Sequence, residues 1–178
     1  STHLATELLL VLEEMMESGD LLDAAIASSE QQRSDLWRMR ESVLEAILEY
    51  GASYHFDISL PLANISWFLQ EMDAMAAELG FETLTIGHLG DGNLHYALVC
   101  SDRERWQSLP LGLAKTKAFD LLRRLNGSFS AEHGIGQSKL DAMRALKEPA
   151  QLDAMRAIKR ALDPEDIMNP GRLVPLAE

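Results

Sequence analysis

Among the five histidines of the 178-residue sequence, two frame one short motif. In "TIGHLGDGNLHYALV", residues 85–99, His88 and His95 flank a run of glycine, aspartate and asparagine between two alternating, strand-like segments. Neutral imidazoles are common metal ligands, and histidine ordinarily titrates near neutral pH. With "GDGN" (90–93) as a four-residue hairpin loop, Leu89 pairs with Leu94, His88 with His95, Ile86 with Ala97 and Leu84 with Val99. Leu84, Ile86, His88, His95, Ala97 and Val99 then share one face. The two imidazoles oppose each other at the tip of an otherwise apolar surface, with Cβ atoms ~5 Å apart, close enough to reach one metal ion. Gly90 and Gly92 suit the tight tip, and Asp91 is placed to hold a histidine tautomer. The competing reading is a pair of histidines on a solvent-facing tip, and a one-residue slip of register would separate them.

A third donor lies in "SFSAEHGIGQSK", residues 128–139. Residues 128–132 alternate, and Gly134 and Gly136 then break the strand. Glu132 and His133 are neighbours, so an extended chain points them to opposite sides. A bend at the glycines lets both border one cavity. Glu132 then completes a two-histidine, one-carboxylate set with open positions for substrate, and His133 stays free as an acid or base. The alternative is a helix start, with Glu132 facing the helix dipole. Arg40 is the remaining candidate. On a helical wheel it falls within ~40° of Leu36, Val43 and Ile47, on the apolar stripe of a long helix. A guanidinium there needs an anion. The anion is either internal, Asp57 or Glu41, or a substrate carboxylate; a third option is a stem that snorkels to solvent.

The rest of the chain must position these groups. Hydrophobic residues make up 47% and charged residues 25%, the profile of a globular protein. No window approaches eighteen apolar residues, as a membrane-crossing helix would need. The N-terminal apolar run has acids after it and no basic residues before it, unlike a signal peptide. The net charge of −12 opposes nucleic-acid binding. The lone Cys100 excludes an internal disulfide and fits a reducing, cytoplasmic setting.

Helices are expected over 4–18, from Ser28 or Ser29 to Gly51, over 64–80 with Asn64 as cap, near 111–126, near 137–146 and over 149–162. Strands are expected at 20–28, 53–61, 82–89, 93–100 and 128–132. The central strand pair is a hairpin, so the fold is expected to be α+β: a ferredoxin-like antiparallel sheet with helices packed on it, plus C-terminal helices.

"GHLGDGNLH", "SAEHGIG", "LWRMRES" and "LDPEDIMNPGRL" together resemble the C-terminal domain of FAD-linked oxidases, the group containing D-lactate dehydrogenase, the glycolate oxidase large subunit and D-2-hydroxyglutarate dehydrogenase. The resemblance covers nearly the whole chain, residues 1–178 as one domain. It implies a cap that closes over the flavin of a separate N-terminal FAD-binding domain. The metal ligands of the family fall on His88, His95 and Glu132, its base on His133, its substrate-carboxylate contact on Arg40. The resemblance also places His55 beside the substrate and Asn93 and Asn169 beside the cofactor. The implied reaction oxidises a 2-hydroxy acid to a 2-oxo acid with hydride transfer to FAD. By ligand type zinc is the first choice of metal, with iron or manganese as alternatives.

Two departures stand out. Similar sequences usually carry lysine where this chain has His55, and some carry a substrate-touching asparagine where it has Ala97. Both point away from 2-hydroxyglutarate. No FAD-binding domain is read in the 178 residues, so either a fragment of a larger flavoprotein or a flavin domain on a separate polypeptide is expected, the fragment first. Alone it should hold FAD poorly and not turn over. Self-association as a homodimer would cover its apolar flavin-facing side. Contact with a membrane is expected only through an electron-acceptor partner. Two other functions remain: a non-catalytic binding module of the same fold, and a flavin-independent metallohydrolase.

Overall fold

The computed structural model describes residues 2–88 and 90–175, with the side chain of Thr2 left out. The chain divides into two compact units, Ser1–Val43 and Leu44–Glu178.

The first unit holds α1 (Thr2–Ser18) and α2 (Glu30–Glu41). The α1 helix stops at Gly19, whose φ of +80° is open to glycine at little cost. The segment 20–28, expected as a buried strand, is irregular, and its Leu22 is 93% exposed. Among the described residues of this unit no strand pairs with it, and an unpaired strand leaves its N–H and C=O groups without partners. Ser29 caps α2 by accepting the Gln32 N–H, as the sequence suggested.

The long helix expected from 28 to 50 is two helices, α2 and α3 (Val43–Tyr50). The break falls at Ser42, whose hydroxyl donates to the Met39 carbonyl. A serine that bonds the preceding turn in this way competes with the helix ladder. The stripe through Leu36, Val43 and Ile47 is therefore not one buried face. Ile47 is buried, whereas Leu36 and Arg40 are exposed. Arg40 does not sit in a core.

The second unit begins in α3 and is built on β1 (Ala52–Ser59), β2 (Glu82–His88) and β3 (Asn93–Cys100). These form an antiparallel sheet in the order β1-β3-β2. The α4 helix (Ile65–Leu79) connects β1 to β2, and α6 (Leu111–Arg124) follows β3 after the short α5 (Arg103–Trp106). The chain ends in α7 (Leu140–Leu146), α8 (Pro149–Leu162) and a capped tail. The architecture is α+β, as expected.

Segment 128–132 was expected as a strand. It makes a single bridge, Ser128 with Ser59, at the free edge of β1. That bridge places a rudimentary fourth element beside β1, giving the spatial order 4-1-3-2 of a ferredoxin-like sheet. Regular pairing stops there, as the Ser128 hydroxyl donates to the Ser130 carbonyl and turns the chain, and one further backbone bond, Ala131 N–H to the Asp57 carbonyl, follows out of register.

Alternation assigns the two faces of the sheet. Tyr54, Phe56 and Ile58 of β1, with Leu94, Tyr96 and Leu98 of β3, belong to the main core. Phe68 of α4 meets Tyr96 edge-on at 6.1 Å, and Phe119 of α6 meets Phe56 at 6.2 Å. The Tyr96 hydroxyl, buried with its ring, donates to Asp73 at 2.8 Å. Asn64 opens α4 by position, but its side chain does not cap that helix. It donates instead to the Leu125 carbonyl at the end of α6.

The register of the β2–β3 hairpin differs from the expected one by two residues. His88 lies opposite Asn93, Gly87 opposite Leu94 and Ile86 opposite His95. The Asp91 and Gly92 N–H groups both close on the His88 carbonyl, and Asp91 Oδ1 accepts the Asn93 N–H. β2 therefore ends at His88 and β3 begins at Asn93; Leu89, expected to pair with Leu94, lies outside the described residues. Gly92 has φ +74°, and a Cβ there would sit 2.1 Å from the Leu60 carbonyl oxygen. That carbonyl belongs to the backbone after β1, and Leu60 N–H donates to Gly92 O. Gly92→Ala is expected to destabilise the chain by about 2–3 kcal/mol, read as a lower denaturant midpoint. An unchanged midpoint would remove this contact as the register lock.

Among the described residues, no helix is long and apolar enough to cross a membrane.

Candidate metal and proton-transfer site

The sheet face away from the core carries His55 and Asp57 from β1, Asn93, His95 and Ala97 from β3, and Leu84, Ile86 and His88 from β2. Across the strands, Asp57 pairs with His95 and His95 with Ile86. The face is polar on its β1 side rather than wholly apolar. His88 and His95 are diagonal neighbours, with ring centroids 5.7 Å apart in a T-shaped arrangement.

The loop after Ser130 brings two more groups to this face. Glu132 places Oε1 at 3.4 Å from His88 Nδ1 and Oε2 at 3.8 Å from His95 Nε2. Both distances exceed ordinary hydrogen bonds. The shorter is close to the ~3.4 Å that separates two donors bound at ~2.1 Å to one tetrahedral ion. The structure thus brings Glu132 near both histidines, and two imidazoles with a carboxylate are donor types that suit a divalent first-row metal. His133 stacks on His95, with ring centroids 5.6 Å apart and an angle of 18°. Its side chain is 65% exposed, so it borders solvent rather than the core.

Asp57 organises this loop, and its part in the site was not foreseen. It is 4% exposed and accepts the N–H groups of Ala131 at 3.2 Å, Glu132 at 3.2 Å and His133 at 3.0 Å. Lys139 adds its ammonium at 3.1 Å and also donates to Ser130 Oγ at 2.8 Å. Burial alone would raise the Asp57 carboxyl. The His133 N–H, the Lys139 ammonium and the Glu132 N–H together outweigh it and hold the group below the ordinary carboxylate range.

Asp57, His95 and His133 also present donor atoms within 4.8 Å of one another. Asp57 Oδ1 is 3.9 Å from His95 Nδ1, and Oδ2 is 3.9 Å from His133 Nδ1. The acceptor capacity of this carboxylate is already taken up by one ammonium and three N–H groups. An ion there would have to displace Lys139 from Asp57.

Asp91, expected to hold a tautomer, is 3.9 Å from His88 Nδ1 and serves mainly to close the hairpin loop. His55 is half-buried, with Nε2 at 2.9 Å from Ser53 Oγ. Burial, and then the nearby His95, lower its pKa, so it favours the neutral form. Asn93 is 3% exposed, and neither its amide nitrogen nor its amide oxygen has a hydrogen-bond partner. Beside the histidines, such an orphaned amide fits a site awaiting a polar group.

Asn169 is elsewhere. It adopts φ +51° and lines a groove of about 770 Å³ with Met155, Ile158, Leu162 and Arg172. Arg40 is an exposed residue of α2 in the first unit.

Comparison with known proteins supplies the family. A D-2-hydroxyglutarate dehydrogenase of Stutzerimonas stutzeri is 36% identical over 174 residues, covering 95% of this chain and 37% of the relative. A mitochondrial D-2-hydroxyglutarate dehydrogenase of Bos taurus is 34% identical over 173 residues, 97% of this chain and 31% of the relative. One from Arabidopsis thaliana, also mitochondrial, is 34% identical over 160 residues, 90% of this chain and 28% of the relative. The chain spans about a third of the length of these curated relatives. The model of the FAD linked oxidases, C-terminal domain, matches residues 1–173, and with the histidine hairpin and its glutamate in place the chain belongs to that family.

Proposed function

We propose that this chain is the substrate and metal domain of a flavin-dependent dehydrogenase that converts a 2-hydroxy acid to the 2-oxo acid. The observation that carries the reading is the Glu132 carboxylate lying near both His88 and His95 at one sheet face, with His133 stacked on His95. Family membership supports the flavin, which an N-terminal FAD-binding domain would hold, and the orphaned Asn93 amide fits a polar contact from cofactor or substrate.

His88, His95 and Glu132 would hold a divalent ion, zinc by first choice. Bound there, the ion would supply Lewis acidity toward the substrate hydroxyl or carboxylate. FAD supplies the hydride acceptor for the C2 hydrogen. His133 takes the hydroxyl proton. Its Nδ1 faces Asp57 at 3.9 Å, which leaves Nε2 to accept that proton. Arg40 is assigned the substrate carboxylate.

The relatives named above act, by their names, on D-2-hydroxyglutarate, which makes it the first substrate to test. On this sheet face Lys139 is committed to Asp57 and His55 favours its neutral form. A second substrate carboxylate would find a weaker anchor there than at a lysine, so D-lactate and glycolate belong in the same panel.

The test is anaerobic flavin reduction in the flavoprotein that carries this domain, loaded with zinc and offered each acid. Bleaching of the flavin by at least one acid is expected. No bleaching by any of them would sink the reading. Arg40→Met is expected to raise KM for the carboxylate substrate about 10- to 100-fold, because a charge-assisted contact is lost. An unchanged KM would assign Arg40 to an internal ion pair.

A further inference from the structure

We infer that Asp57 is a positioning residue whose carboxylate folds residues 131–133 into the shape that aims Glu132 and His133 at the same face. The inference rests on the metal-site reading above for its purpose, but not for its geometry.

Neighbouring side chains in an extended segment diverge. Glu132 and His133 nevertheless both reach the β3 histidine, Glu132 across to His88 and His133 onto the His95 ring. The backbone achieves this by turning three successive N–H groups inward onto one carboxylate. Successive N–H groups pointing at one spot form a concave anion site. Here the anion is the protein's own, delivered by β1 from directly opposite His95. Gly134, at φ +69°, lets the chain leave the curl, and Gly136, at φ +54°, continues the turn.

Lys139 completes the device. It lies six residues beyond His133, and its ammonium bridges Asp57 and Ser130 Oγ. The Ser130 hydroxyl in turn donates to the Gly134 carbonyl at 2.8 Å, closing the loop from its other side. A half-buried ammonium beside a buried carboxylate keeps the local charge balanced. Asp57 touches neither substrate nor flavin in this scheme and acts through the loop.

The test compares the wild-type chain with Asp57→Asn and with the charge-balanced double variant Asp57→Asn/Lys139→Met. The double variant strands no buried lysine, so it retains the fold if Asp57→Asn alone does not. Amide hydrogen exchange on the metal-free chain is read first. Protection of the Glu132 and His133 amides is expected to vanish in the variants, while the β3 and α6 amides keep theirs; Ala131 N–H, which also bonds the Asp57 backbone carbonyl, is not diagnostic. Retained protection at 132 and 133 in the double variant would overturn the inference.

Cobalt(II) titration is read second, with an expected loss of affinity of about 10- to 100-fold. Lost protection with unchanged cobalt affinity would also overturn it, because the loop would then not aim Glu132. If the wild-type chain bound no cobalt, the metal reading would fail, and the exchange measurement would still decide the role of Asp57.

Discussion

Exchange of His88 for Ala is expected to strip the metal from the chain. In the proposed site His88 would contribute Nδ1, 3.4 Å from Glu132 Oε1 at the end of β2. Two donors would remain, and a two-donor site on a partly exposed surface loses its ion to buffer and water. Zinc stoichiometry after gel filtration should fall from about one per chain toward zero, with affinity reduced more than ~100-fold. The fold should tolerate the change, because His88 is only half-buried and contributes nothing to the core on the opposite face. This variant also separates the two donor sets. An ion held by Asp57, His95 and His133 would ignore His88→Ala, so retained zinc would move the site to that set.

His133→Ala is expected to do the reverse: to lower turnover of the flavoprotein about 10²- to 10⁴-fold and leave zinc content unchanged. The imidazole lies mostly in solvent over His95, so its removal opens no cavity. The backbone N–H of residue 133 still donates to Asp57 in the variant, so the loop keeps its shape. The effect should fall on kcat rather than KM, since the lost group acts on the proton and not on substrate binding. Unchanged turnover would remove His133 as the base. Loss of zinc instead of turnover would mark it as a ligand. Taken together, the two variants cross over, and only one assignment of ligand and base produces that crossover. A non-catalytic module would bind metal without the His133 effect, and a flavin-independent hydrolase would show both effects without FAD.

Much of this site was legible from residue order because strand geometry has period two. His88 and His95 land on one face in any hairpin register of that parity. The structure shifts the pairing by two residues, so the shared face survives although the opposed pair does not. Glu132 could be proposed as a third donor from residue type, and its carboxylate lies near both histidines. Arg40 was harder to read. Its apparent apolar stripe assumed an unbroken helix, and Ser42 ends that helix by bonding backward to Met39. Helical periodicity carries no sign of such a break, since serine is tolerated within helices and at their ends alike.

Asp57 had one visible signal. In "SYHFDIS" it alternates with Phe56 and Ile58, which places it on the same face as His55 and opposite the core. Nothing local says that its carboxylate will meet N–H groups 74 to 76 residues later in the chain. Residue types and their alternation were enough for the α+β class and the shared face of the two histidines, because those follow from local geometry repeated along a strand. The hairpin register, the aborted fourth strand and the curl that turns Glu132 and His133 the same way depend on contacts between distant segments: Gly92 against Leu60, Ser128 against Ser59, and residues 131–133 around Asp57. Those contacts form only once folding has brought the segments together, so no local pattern encodes them.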